Sequence, residues 1–244
     1  MKKAIAWILI LMMTLSLAAC AKETTPAPSA PETTAAPTET AEATPETTLP
    51  ETAEVPTVTA KPLYGEILDG YFDALLQGFG PQEYIEKGLN YLPGNVKDVS
   101  KVGYCLEDLD GDGSTELLIG AVDEPYIYAM YTVKDGQETM VIDAGERNTY
   151  RLSSDGVFVN GGSNSAAQSA YFLYTFADGV MSFRDGIVFD ANADSKNPWF
   201  YVQDTNWDPA TYQPLETASA EAIVSDLDAG LRPIAYIPFS EYNA

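Results

Sequence analysis

The chain has 244 residues, with 36 Asp and Glu against 13 Lys and Arg, and a formal net charge of −23. It contains no histidine and two cysteines, Cys20 and Cys105. Those counts exclude Ser–His–Asp and Cys–His catalysis and any zinc, copper, haem or iron–sulfur site built on histidine or several cysteines. So acidic a chain also offers no basic face to nucleic acid.

In chain order, Met1-Lys2-Lys3 is a positive start and Ala4 to Leu17 is almost wholly apolar. At about 1.5 Å per residue that stretch reaches roughly 21 Å, short of the roughly 30 Å of a bilayer core. Residues 1–19 therefore read as a secretion signal and not as a lasting transmembrane helix. Residues 20–61 follow as a linker. From Glu23 to Ala60 there are 12 Thr, 8 Ala, 7 Pro and 7 Glu and no aromatic residue. Such a segment has nothing to bury against its ordering entropy, and it is expected to be disordered with polyproline II character. A flexible chain of this length spans roughly 35 Å.

Residues 62–244 form the expected single globular domain, of α+β class. Leu63, Ile67, Tyr71, Leu75 and Phe79 recur every four residues and predict a first helix, stopped by Gly78 and Gly80. Pro81 opens a second short helix that ends at Gly88. From Lys101 the period becomes two. Strands are expected at 102–106, 116–122, 126–133, 139–142, 157–159, 170–176, 180–183 and 187–189. Asp-Gly pairs at 135–136, 155–156, 178–179 and 185–186 punctuate them and suit tight hairpin turns. A last helix is expected from an N-cap at Ser219 to Gly230, and 234–239 as a final extended segment. The prediction is an antiparallel, hairpin-rich sheet with two short N-terminal helices and one C-terminal helix. Residues 131–136 echo 174–179, which reads as two similar hairpins: two or three such units are too few to close a propeller. Cys105, in a strand-like context, reads as a structural thiol.

Chemistry concentrates in one loop, Asp108-Leu109-Asp110-Gly111-Asp112-Gly113-Ser114-Thr115-Glu116. Acids fall at positions 1, 3, 5 and 9. Four carboxylates on nine residues repel one another unless a cation sits among them, and all-oxygen ligands suit Ca²⁺. Ser114, at position 7, would add its backbone carbonyl. Position 12 is Ile119 where an EF-hand needs a bidentate Glu, and residues 117–119 continue as a strand. The loop resembles the calcium loops of FG-GAP and VCBS-type repeats, with Glu116 where those repeats usually have Asp. That resemblance implies one structural Ca²⁺ on Asp108, Asp110, Asp112, Ser114 and Glu116, and implies no activity.

Leu17-Ala18-Ala19-Cys20 resembles the bacterial lipobox. It implies cleavage before Cys20 and a diacylglycerol on its sulfur. The two acyl chains would hold the protein on the outer face of the cell membrane. More loosely, lipobox, Thr/Pro/Glu tether and a single Asp-Gly-Asp-Gly domain resemble lipoproteins of gut clostridia. Residues 145–148 and 160–165 are polar loops that could line a site, with Arg147 as a candidate ligand contact, or could simply be turns. Trp199 and Trp207 could form an aromatic platform for a sugar, or simply pack in the core. The expected function is thus a calcium-stabilised binding or structural domain for an extracellular glycan or protein ligand. The alternative is a secreted, carboxylate-dependent hydrolase of glycan or peptidoglycan, for which the sequence supplies no residue constellation.

Overall fold

Helix α1 (Gly65–Gln77) begins after Tyr64 and closes at Gly78, whose φ of 68° lets its amide return to the Ala74 carbonyl. The structure, a computed structural model, describes residues 63–93 and 96–243. The signal sequence, Cys20 and the linker lie outside the described residues. All described residues belong to one unit, Thr57–Ala244.

The buried stripe of α1 is Tyr64, Leu68, Tyr71 and Leu75, while Leu63 is 51% exposed. The expected stripe is corrected for a geometrical reason. A strict four-residue repeat drifts by about 40° per step round a helix of 3.6 residues per turn, whereas steps of four, three and four stay on one face. Helix α2 (Pro81–Glu86) follows, with Glu83 accepting a hydrogen bond from the Gly80 amide at 2.7 Å. Helix α3 (Thr217–Ala229) starts before Ser219, which lies inside it and caps nothing, and ends at Gly230. Among the described residues no helix is long and apolar enough to cross a membrane.

Eleven strands form one antiparallel sheet: β1 (Val102–Glu107), β2 (Glu116–Ala121), β3 (Ile127–Lys134), β4 (Gln137–Asp143), β5 (Asn148–Leu152), β6 (Phe158–Ser165), β7 (Gln168–Ala177), β8 (Val180–Asp190), β9 (Trp199–Val202), β10 (Gln213–Pro214) and β11 (Ile237–Pro238). Their spatial order is β10-β9-β8-β7-β6-β5-β3-β2-β1-β11, with β4 paired to β3 alone. Three expectations change. Asn160–Ser165 is no loop: it is most of β6, paired to β7 along its length and to β5 over residues 160–162. The segments 180–183 and 187–189 are one strand, because Asp185-Gly186 makes no turn. Arg184 is instead the extra residue of a bulge against β7, and a Cβ at Gly186 would stand 2.8 Å from the Tyr171 carbonyl. Polar β5 and aromatic β9 are further strands that were not expected.

The Asp-Gly reading holds at the β3–β4 and β7–β8 hairpins, where Asp135, Gly136, Asp178 and Gly179 all have positive φ. These two turns end the two echoing segments, which are therefore hairpins.

The whole of β2 is buried. Leu117 and Ile119 face a core formed with α1, α2 and Phe239, while Leu118 faces a second core with Met130, Phe158 and Phe176. Phe176 lies near the end of β7, so the sheet curls until the β7–β8 hairpin reaches the strands of its other half. Cys105 is half-buried, and burial pushes its thiol up, away from the reactive thiolate.

Candidate metal loop

The β1–β2 connection carries the acidic motif. It leaves β1 at Glu107 and enters β2 at Glu116, two residues that face each other across the ladder. Its shape comes from side chains accepting backbone amides. Asp108 Oδ1 accepts from Gly111 at 2.8 Å and Oδ2 from Gly113 at 3.1 Å. Asp110 accepts from Asp112 at 3.2 Å, and Asp112 from Ser114 at 2.6 Å. Gly111 and Gly113 take φ of 76° and 89°, which residues with a Cβ seldom adopt.

Asp108, Asp110 and Glu116 each present a carboxylate oxygen, and these oxygens lie within 4.8 Å of one another. The cluster could hold a metal ion. Asp112 stands outside this three-carboxylate group, its oxygen turned to the Ser114 amide. Ser114 lies between them in the chain, and its amide is the donor of that bond.

Glu116 is the unusual member. It is 1% exposed. Its carboxylate accepts from the Leu109 amide at 2.9 Å and from the Thr132 hydroxyl at 3.0 Å. Burial holds its carboxyl above the usual carboxylate range; those two hydrogen bonds oppose the shift, and the charges of Asp110 and Asp112 add to it. A buried carboxylate beside two others is a costly arrangement that a cation relieves. The donor set is all oxygen, which fits a hard cation and not a soft one.

Two distant elements brace the loop. The Tyr64 hydroxyl donates to the Thr115 carbonyl at 2.7 Å, and the Gly179 amide donates to Asp110 at 3.3 Å. The second bond comes from the tip of the β7–β8 hairpin, 69 residues away in sequence.

The other singled-out residues lie elsewhere. Arg147, in the turn before β5, is exposed. Trp199, on β9, packs edge-on against Phe189, ring centroids 5.3 Å apart. Trp207 packs edge-on against Phe172 at 5.9 Å, in a cluster with Phe200 and Val202. Phe172 alternates along β7 with Tyr171, so Trp207 lies on the sheet face opposite to Tyr171. The two tryptophans do not make one platform.

No family model, no curated protein and no solved structure matches the chain.

Proposed function

We propose that this chain is an extracytoplasmic lipoprotein whose folded domain, stabilised by one Ca²⁺ in the β1–β2 loop, serves binding or scaffolding at the cell surface. The observation that carries the reading is the convergence of Asp108, Asp110 and Glu116, with Glu116 buried. Ca²⁺ accepts six to eight oxygens in loose geometry, so the Ser114 carbonyl and water are natural further ligands, while Asp112 shapes the loop through the Ser114 amide. Such an ion would tie β1 to β2 and, through Asp110, to the β7–β8 hairpin. It would act on stability and shape, with no role in bond making.

The lipid anchor rests on Leu17-Ala18-Ala19-Cys20 and on the Thr/Pro/Glu composition that follows. Two acyl chains suffice for stable anchoring, at about 0.8 kcal/mol per buried CH₂.

Calorimetric titration of the intact chain with Ca²⁺ should give one ion per chain, at the roughly 10⁻⁴–10⁻³ M affinity of extracellular calcium modules. Absence of binding at about ten times that range ends the calcium reading. Mass spectrometry of the mature N-terminus should find Cys20 acylated, and an unmodified Cys20 ends the anchor.

A further inference from the structure

A polar cleft of about 370 Å³ lies on the sheet away from the acidic loop, lined by Arg147 and Arg151 and by two acids, Glu146 and Asp228. Cross-strand register sets its chemistry. Thr149, Gly161 and Tyr171 stand directly opposite one another on β5, β6 and β7, so they share one face. Ser163 and Ser169 form the next such pair, and the Ser163 amide donates to the Arg147 carbonyl at 3.0 Å. Gly161 leaves the floor open: a Cβ there would stand 3.1 Å from the Thr149 hydroxyl. The result is a shallow floor beside an aromatic ring; its Thr149 and Ser163 hydroxyls already donate to backbone carbonyls and face a ligand as acceptors.

Charge sets the cleft apart. From Pro62 onward the chain has 29 acids and nine basic residues. Arg151 donates to Asp228 of α3 at 2.6 Å, yet its Nε is buried with no acceptor, so the protein satisfies that guanidinium only in part. Among the described residues the exposed Arg147 side chain has no ion-pair or hydrogen-bond partner. Two acids against two guanidiniums leave the cleft lining neutral in a domain that is strongly negative, and among the described residues Glu146 makes no ion pair with Arg147, whose fork stays vacant at the rim. The net negative charge opposes an anionic ligand at long range. Screening over about 8 Å at physiological salt confines that opposition, and a ligand seated in the cleft responds chiefly to the groups it touches.

A neutral sugar could use the hydroxyls and the ring of Tyr171 but would leave Arg147 facing water. A carboxylate takes the planar guanidinium fork in two parallel hydrogen bonds. We propose that this cleft binds a carboxylate-bearing sugar of the uronic acid type, with Arg147 on the carboxylate, Thr149, Ser163 and Ser169 on ring hydroxyls, and Tyr171 against the sugar face. The proposal rests on the reading of the domain as an extracytoplasmic binding module and names its ligand class.

The test is a calorimetric and NMR titration of the intact chain, with and without calcium. The probes are glucuronic acid, a glucuronic acid–N-acetylglucosamine disaccharide, and the uncharged methyl ester of that disaccharide. The acid disaccharide should bind, with NMR shifts at Gly161 and Tyr171. Affinity should fall roughly tenfold or more for the ester and for Arg147→Ala, the loss expected of one charge-assisted pair, and less for Arg147→Lys. Arg147 is exposed and its side chain has no partner among the described residues, so its replacement should leave the fold intact. Absence of binding to both acids up to about 10 mM, weaker than the millimolar range of small carbohydrate sites, overturns the proposal. So does equal binding of the ester, or equal binding by Arg147→Ala. A normal calcium response in a chain that fails these tests sinks the uronate site alone; sugar binding without a calcium response sinks the metal reading alone.

Discussion

Glu116→Gln should act in opposite directions with and without the ion. In chelator the wild-type loop holds three carboxylates whose oxygens lie within 4.8 Å of one another. Even at the dielectric of water, two unit charges at that distance repel by about 0.9 kcal/mol, so neutralising Glu116 removes two such terms, about 1.7 kcal/mol together. Gln keeps the shape of the side chain and can still accept from the Leu109 amide, while its NH₂ can donate to Thr132. The ion-free variant should therefore melt above the ion-free wild type by about 3–7 °C for a domain of this size. With Ca²⁺ at about ten times Kd the wild type gains about 1.4 kcal/mol, or about 3–6 °C, and the variant gains nothing. Asp112→Asn should keep most of the wild-type gain, because Asn can still accept the Ser114 amide. Differential scanning calorimetry of the three proteins, in chelator and in calcium, reads all of this. A Glu116→Gln chain that melts below the wild type in chelator shows that repulsion is not the governing force in the loop. One that keeps the calcium gain shows that the ion sits elsewhere.

Other expectations follow from the same structure. Gly120→Ala should destabilise by about 1–3 kcal/mol or more, because its Cβ would stand 2.1 Å from the Tyr236 hydroxyl and 2.3 Å from the Tyr126 carbonyl; an unchanged denaturant midpoint refutes it. Burial holds the phenols of Tyr71 and Tyr236 well above the usual tyrosine range. The unfolded chain then ionises first, so stability is intact below about pH 10 and falls above it by about 1.4 kcal/mol per pH unit for each of the two phenols. Urea melts between about pH 9 and 12 should show that slope, and a flat profile contradicts it. A chain beginning at Lys61 should melt with the full mature chain, since the linker composition offers nothing to bury; a drop of many degrees places the boundary wrongly.

What could be read from the sequence was what neighbours along the chain decide. The turns at Asp135-Gly136 and Asp178-Gly179 and the nine-residue acidic loop are local in this sense. The strands lost were those whose extended state comes from partners. Asn148-Thr149-Tyr150-Arg151 and Asn160 to Ser165 are polar, and only their ladder partners hold them straight. Asp185-Gly186 has the composition of a turn, yet pairing with β7 keeps β8 extended through a bulge. The separation of Asp112 from the other acids depends on where one amide points. The Arg147–Arg151 cleft depends on three-strand register and on Asp228, 77 residues from its partner Arg151.

The two outermost strands of the sheet have a consequence of their own. β10 and β11 are two residues long, and each ends in a proline, Pro214 and Pro238. A proline offers no amide for a further ladder, and a two-residue edge is too short to template one. If the proposed lipid anchor holds, molecules crowded in one plane would meet edge to edge far more often than in dilute solution. With its margins blunted, this sheet can be packed densely without propagating from one molecule to the next.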